Sequence, residues 1–256
     1  MSGALLQGML RNGLASPYLL GISAGSGLVI VFFISFSLIQ TFIPFAAWIG
    51  AILTTLIVFV LSKEGNKIVV ERLVLGGVAI SSLFGAIQAS LLLQAEDGRI
   101  QAALNWLIGS LNARGWQEIK FTALPILIAL FIGLFLYRQL NLLSLGDELS
   151  VSLGTSLFRS RCLIGAIATL LAACAVSIGG LIGFIGLIVP HFSRLLIGND
   201  FKYILPFSAL IGALTLSSAD LISRLGPIEI PVGIVTALLG APVFMFILYN
   251  RTNFKK

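Results

Sequence analysis

Long apolar runs separated by short polar breaks are the feature that most constrains this chain. They cover residues 18–40, 46–62, 73–94, 121–138, 162–178, 181–197, 204–222 and 233–250. A helix needs about 20 mostly apolar residues to cross the hydrocarbon core of a bilayer. Of the 256 residues, 58% are hydrophobic and only 10% charged, with a mean hydropathy of +1.06. A soluble domain carries roughly a quarter of its residues charged; here the charges are too few to cover a water-facing surface. Backbone groups in lipid must be paired within helices or closed barrels, and no period-two alternation marks strands. The expected fold is all-α: a polytopic transmembrane helix bundle of eight full spans in one domain, 1–256, with Met1–Leu10 as an N-terminal partial helix.

The polar breaks are plain at Lys63–Lys67, Glu96–Arg99 and Leu145–Arg161. Only the pair Gly179–Gly180 divides the runs 162–178 and 181–197, but their joint length exceeds one bilayer thickness, so the chain is expected to reverse there. Basic residues in short loops set orientation. One set of alternate loops holds Arg11, Lys63, Lys67, Arg72, Arg138, Arg159, Arg161, Arg194, Lys202, Arg251, Lys255 and Lys256; the other holds Arg99, Arg114, Lys120 and Arg224. Twelve against four makes the first side cytoplasmic and places the C-terminus there. Without the Gly179–Gly180 split the counts would be nearer even.

Several function classes fall away. The net charge of +6 is scattered over short loops, which does not suit nucleic acid. Cys162 and Cys174 share one apolar run and have neither disulfide density nor metal-ligand spacing, so they read as small packing residues. No aqueous segment is long enough for a catalytic fold, and no G-x-x-x-x-G-K-[ST] loop is present to hold a nucleotide. Met1–Leu10 lacks a basic leader region and so does not read as a signal peptide; it resembles the cytoplasmic end of a helix whose start is missing.

Small residues recur at helical spacing. Gly77, Ser81, Gly85 and Ala89 fall on one face of the third run, and Gly21 and Gly25 repeat the pattern in the first. Such faces let backbones approach closely; they serve either static packing or a pathway that moves. Within the polar stretch Leu142–Ser160, Gly146 and Gly154 bracket a segment in which Leu149 and Leu153 share one side of a short helix. That helix either projects toward a soluble partner or lies in the interface plane. Gly179–Gly186, GGLIGFIG, predicts an unwound turn, tolerated only where protein or water covers the freed backbone. His191 is expected to hydrogen-bond within a helix end, Gln88 between helices, and Asp220 to pair with Arg224 four positions on.

Four long motifs in order resemble the permease subunits of ABC importers for ferric siderophores, haem and vitamin B12. They are SGALLQGMLRNGLASPYLLGISAGSGL (Ser2–Leu28), LNLLSLGDELSVSLG (Leu140–Gly154), GGLIGFIGLIVPHFSRLLIG (Gly179–Gly198) and PVGIVTALLGAPVFMFIL (Pro231–Leu248). The resemblance is nearly collinear over residues 2–249. It implies ten helices per subunit and a second permease subunit, identical or not, around a central pathway. It also implies ATP-binding subunits on the cytoplasmic side and an extracytoplasmic substrate-binding protein. ATP and Mg would sit on the partner ATPase; this chain would be no enzyme and hold no cofactor or metal of its own.

By that resemblance the coupling segment lies within residues 141–160, with the ATPase contact on Leu145, Gly146, Asp147, Glu148, Leu149, Leu153 and Gly154. The cytoplasmic gate falls on Val70 and Glu71, and an outer arginine that docks the binding protein falls on Arg224. Gly13, Ser16 and Val151 depart from the family's usual proline, acid and arginine, and Ile230 replaces a usual leucine. The first helix and most of the second have no counterpart, so the resemblance also admits a truncated, non-transporting fragment. The expected function is the translocation subunit of an ATP-driven importer working by alternating access. A self-sufficient secondary transporter or channel is the other reading, but those place ionisable groups or broken helices near the midplane, and here the midplane is nearly free of charge.

Overall fold

Where backbone amides have no water to turn to, the chain pairs them with itself, and helices take up most of its length. The computed structural model describes residues 1–38, 42–65, 67–112 and 114–253; Lys255 and Lys256, counted above among the basic loops, lie outside them. The helices are α1 (Ser2–Leu10), α2 (Ile22–Ser35), α3 (Ile43–Ser62), α4 (Val70–Leu93), α5 (Asp97–Ile108), α6 (Trp116–Phe135), α7 (Tyr137–Ser144), α8 (Asp147–Ser152), α9 (Leu157–Gly179), α10 (Ile185–Ile197), α11 (Phe201–Ser223) and α12 (Val232–Asn253). A 3-10 turn, Pro17–Leu20, precedes α2, and a two-stranded hairpin of β1 (Lys63–Glu64) and β2 (Lys67–Ile68) joins α3 to α4. The all-α class stands, with this one small hairpin added.

Each of the eight apolar runs holds one of these helices, but their lengths differ from expectation. Among the described residues, α3, α4, α9 and α11 are each long and apolar enough to cross a membrane, and α6 with α7 makes a fifth as a span bent by 50°. Of the run 18–40, α2 takes 14 residues: Gly21 at φ +72° separates the 3-10 turn from its start, and Ser37 at φ +50° follows its end. The run 181–197 shrinks to the 13 residues of α10. Gly180 (φ +74°) ends α9 where expected, but Phe184 (φ +65°) delays the next helix to Ile185. Helix α5 was not expected, although Ile100, Ala103, Leu104 and Leu107 carry helical spacing just after the polar break Glu96–Arg99.

Contacts between helices fix their directions. Ser2 Oγ donates to the Ala168 carbonyl at 2.6 Å, while Arg11 and Arg161 both meet Asp147, so α1 and α9 run antiparallel. Gln7 meets the Leu187 carbonyl at 3.3 Å and Arg194 at 2.6 Å, so α1 and α10 approach the same end. The hairpin, α7, α8 and the starts of α9 and α11 gather at that end, and Arg11, Lys63, Arg138, Arg159, Arg161 and Lys202 gather with them. The opposite end carries α5, whose Arg99 donates to the Ser35 carbonyl at 2.8 Å. These described basic residues therefore segregate in space as they do along the chain.

Helix α1 sits at the centre. Gly3 through Leu10 are all buried, and Leu5, Leu6 and Met9 join Leu140, Leu143, Ile164 and Ile204 in the main core. Lipid is as apolar as leucine, so close packing rather than water exclusion must hold such helices together. Glycines provide it: Gly3 abuts the Gly186 backbone, and a Cβ on Gly50 would meet the Gly25 carbonyl at 2.5 Å. The nine-residue helix that reads as a partial helix in the sequence lies at the centre of the core.

Candidate functional site

The segment Leu145–Gly154 projects from the basic end on two glycine hinges. Gly146 (φ 110°, ψ 159°) occupies a backbone region open essentially to glycine, and Gly154 has φ +84°. Between them α8 opens with Asp147 and Glu148 in its first turn, where acidic side chains suit the positive end of the helix dipole. Ser150 Oγ lies 2.6 Å from the Leu142 carbonyl and 2.5 Å from the Gly146 carbonyl, which holds α8 against α7. Leu145, Leu149, Val151 and Leu153 are each more than half exposed. Leu149 and Leu153 thus face outward, as their spacing predicts.

What fixes this leucine face is an ion cluster beneath it. Arg161, on the second turn of α9, is 5% exposed and donates from Nη2 to both Asp147 carboxylate oxygens at 2.9 Å. Its Nη1 donates to the Ile68 carbonyl at 3.0 Å. Arg11, just past the end of α1, approaches Asp147 at 3.4 Å. The guanidinium fork suits such multiple acceptors. Its Nε, also buried, has no hydrogen-bond partner. Sequence reading used Arg11 and Arg161 only to assign sides. The available signal was that Arg159 and Arg161, two apart, must point to different sides of a helix; one is exposed and the other buried.

Val70 and Glu71 form the first turn of α4, two residues beyond Ile68. Val70 packs against the main core and Glu71 is exposed. Along the same helix the small-residue face divides. Gly77 is buried, and its carbonyl, with Ser81 Oγ, faces Gly21 at the start of α2. Gly85 has nothing within 4 Å of the position a Cβ would take, and Ala89 is exposed. The first half of this face packs within the chain and the second half is open. Gln88 bridges to α2, donating to the Ala24 carbonyl at 3.0 Å.

At the opposite end Arg224 closes α11. Its Nε and Nη2 donate to the two Asp220 oxygens at 2.9 and 3.2 Å, the intrahelical pair expected from the spacing. That carboxylate pushes the Arg224 guanidinium further up its already high range, and Glu229 adds to it. The side chain is 44% exposed, so the pair leaves part of the cation facing water. Inside the bundle the unwound turn expected in GGLIGFIG is present at Gly180–Phe184. Its Leu181 amide donates to the Trp106 carbonyl at 3.4 Å, which ties the turn to α5, and the Gly233 amide donates to the Gly109 carbonyl at 3.0 Å, which ties the end of α5 to α12.

A second lock joins α7 to α11 at the basic end. Asn141 Nδ2 donates to Asp200 at 2.7 Å, and its Oδ1 accepts from the Phe201 amide at 3.0 Å. Asp200 also accepts from the Lys202 amide at 2.9 Å as the helix cap. The Asn141 hydrogen bond, foremost, holds the Asp200 carboxyl below its ordinary value. A depressed carboxylate contributes stability above the unfolded value, about 3.9, and loses it as pH falls through the folded value. Asn141→Leu is therefore expected to destabilise the chain at pH 7, with the difference from wild type shrinking below about pH 4. Unfolding midpoints across pH 3–7 check this, and a gap that does not depend on pH would contradict it.

Along its length the chain matches known transport proteins. The model of the FecCD transport family covers residues 1–250. The Fe(3+)-citrate import system permease protein YfmE of Bacillus subtilis is 42% identical over 96% of this chain and 75% of its own length. The cobalamin import system permease protein BtuC of Halobacterium salinarum is 38% identical over 98% of this chain and 68% of its own length. A solved structure described as an inward-facing conformation of a metal-chelate type ABC transporter superposes with a TM-score of 0.90 at 34% identity, covering 97% of this chain and 81% of that one. Apolar helices throughout, the hinged leucine face at the basic end and a match over nearly the whole chain lead to one assignment: this is a multi-pass membrane protein that belongs to the FecCD transport family, a family of transport subunits rather than enzymes.

Proposed function

We propose that this chain is the membrane-spanning subunit of an ATP-driven importer that carries an iron chelate, haem or cobalamin into the cytoplasm by alternating access. The observation that carries the proposal is the exposed leucine face of α8, hinged by two glycines and anchored by Asp147, in a chain so similar to a solved ABC transporter. Such a face is what a soluble motor would grip. The basic end is cytoplasmic by the excess of lysine and arginine, the C-terminus lies there, and the eight apolar helices make eight crossings, four of them by short or bent helices. ATP and Mg act on ATP-binding partner subunits. A second permease subunit covers the open half of the α4 face around Gly85 and Ala89, Val70 and Glu71 form the cytoplasmic gate, and lipid surrounds the rest.

The deciding experiment assembles this chain with its ATP-binding subunits and binding protein in proteoliposomes. An iron chelate, haem or a corrinoid presented on the binding protein is expected to stimulate ATP hydrolysis and enter the vesicle; hydrolysis indifferent to all three would reject the reading. A cysteine placed at Ser152, exposed on α8, is expected to resist a membrane-impermeant reagent added outside intact cells. Labelling from outside would reverse the topology.

Arg224 docks the binding protein from the outer side. Arg224→Glu is expected to weaken docking about tenfold or more, since a rim cation becomes an anion facing an acidic patch. Affinity should also fall with added salt, as exposed charges are screened beyond about 10 Å at 0.1 M. A docking affinity that does not respond to salt in the wild type would remove this role from Arg224.

A further inference from the structure

Asp147 sits in the segment proposed to meet the motor, and Ile68 sits two residues before the helix proposed to gate the pathway. One side chain touches both. Arg161 binds the Asp147 carboxylate through two 2.9 Å hydrogen bonds and the Ile68 carbonyl through one at 3.0 Å. The guanidinium is almost wholly buried, so water competes little for its donors. Ile68 is itself buried in the main core, and the Val69 amide donates to the Ser62 carbonyl at 3.1 Å. The end of α3, the hairpin and the start of α4 therefore form one hydrogen-bonded unit, to which Arg161 fastens α8.

Resting on the transport reading above, we propose that Arg161 is a positioning residue that carries displacement of α8 into the first turn of α4. Two contacts on one planar group make the geometry stiff: α8 cannot shift relative to the hairpin without breaking a charged hydrogen bond from a buried guanidinium. Breaking one leaves a buried charge partly unpaired, which is costly. Arg11, on the open side of Asp147 at 3.4 Å, neutralises the carboxylate but is 43% exposed and gives no such rigidity. Motion at the motor face is thereby converted into motion at Val70 and Glu71 through three bonds rather than through the length of α9.

The test compares wild type, Arg161→Lys and Arg161→Met in the full complex with ATP-binding subunits and binding protein. Lysine keeps the positive charge beside Asp147 but has no planar fork with which to hold a carboxylate and a carbonyl together. With Cys162 and Cys174 replaced by serine, spin labels at Glu71 and Ser152, both exposed, report the distance between the start of α4 and the end of α8, with and without ATP. Uptake is counted per ATP hydrolysed.

The wild-type distance is expected to be the same in both states, and in Arg161→Lys to change on ATP binding. Uptake per ATP should fall about tenfold in Arg161→Lys, within the range of coupling between sites, with unstimulated hydrolysis little altered. A merely structural arginine would lower uptake and hydrolysis in parallel and leave their ratio intact; that outcome, or a labelled distance that stays locked in Arg161→Lys, overturns the proposal. If Arg161→Met fails to assemble, Arg161→Lys still decides. A wild-type complex that neither hydrolyses ATP in response to substrate nor takes substrate up would instead reject the transport reading, and the labelled distances would still show whether Arg161 joins the two elements.

Discussion

Asp147→Lys is expected to lower the unfolding free energy of the detergent-solubilised chain by about 3 kcal/mol and to abolish uptake, whereas Glu148→Lys leaves stability within about 0.5 kcal/mol. The two acids are neighbours in sequence and differ in what lies behind them. Removing Asp147 strands Arg161, 5% exposed, and puts a third cation beside it and Arg11. Breaking a buried ion pair from one side costs about 3–5 kcal/mol; the lower figure applies because Asp147 is itself 39% exposed and water can reach the gap. Glu148 is exposed, and changing it should act only on the partner, by uncoupling ATP hydrolysis from uptake. Sodium dodecyl sulfate titration reads the first effect and the uptake-to-hydrolysis ratio the second. Equal stability losses at both positions would contradict the ion cluster.

The second large effect separates packing from open surface along the small-residue faces. Gly25→Leu should cost about 3 kcal/mol, the upper end of the usual range for overpacking. A Cβ there would meet the Gly50 backbone carbonyl at 2.6 Å and could be relieved only by moving α2 away from α3. Gly85→Leu should leave stability unchanged, since its Cβ would meet nothing within 4 Å. If that open half of α4 faces the second permease subunit or the pathway, the variant folds and inserts but loses uptake. Folded yield and uptake, measured side by side, give the answer. A destabilised Gly85→Leu chain would mean that the surface is covered within this subunit after all.

Much of this was legible in the residues because lipid imposes a simple rule. Apolar runs near a bilayer in length can only be helices, and each of the eight runs holds one. The reversal at Gly179–Gly180 could be read from length alone, and the hinges at Gly146 and Gly154 from glycines bracketing a short amphipathic segment. Lengths were less legible. Residues 18–21 and 181–184 are as apolar as the helices they join, and what stops the helix is a positive φ at Gly21, Gly180 and Phe184, which hydropathy does not register. Gln7 was missed for a related reason: a single amide in an apolar decapeptide looks incidental until it is found 2% exposed, holding Arg194 at 2.6 Å. Arg161 was hidden by its neighbours, since Arg159 and Arg161 count alike in a loop tally and differ only once α9 has turned them apart.

The 3-10 turn that precedes α2 lies beside the start of α10: Pro17 lies 3.4 Å from where a Cβ on Gly186 would stand, and Gly186 is in the first turn of α10. At 14 and 13 residues, α2 and α10 reach about 21 and 20 Å, short of a hydrocarbon layer about 30 Å deep. Backbone left outside a helix at that depth must be sheltered by protein or wetted. If α2 and α10 line the proposed pathway, the helical barrier there is only about four turns thick, thinner than the membrane around it.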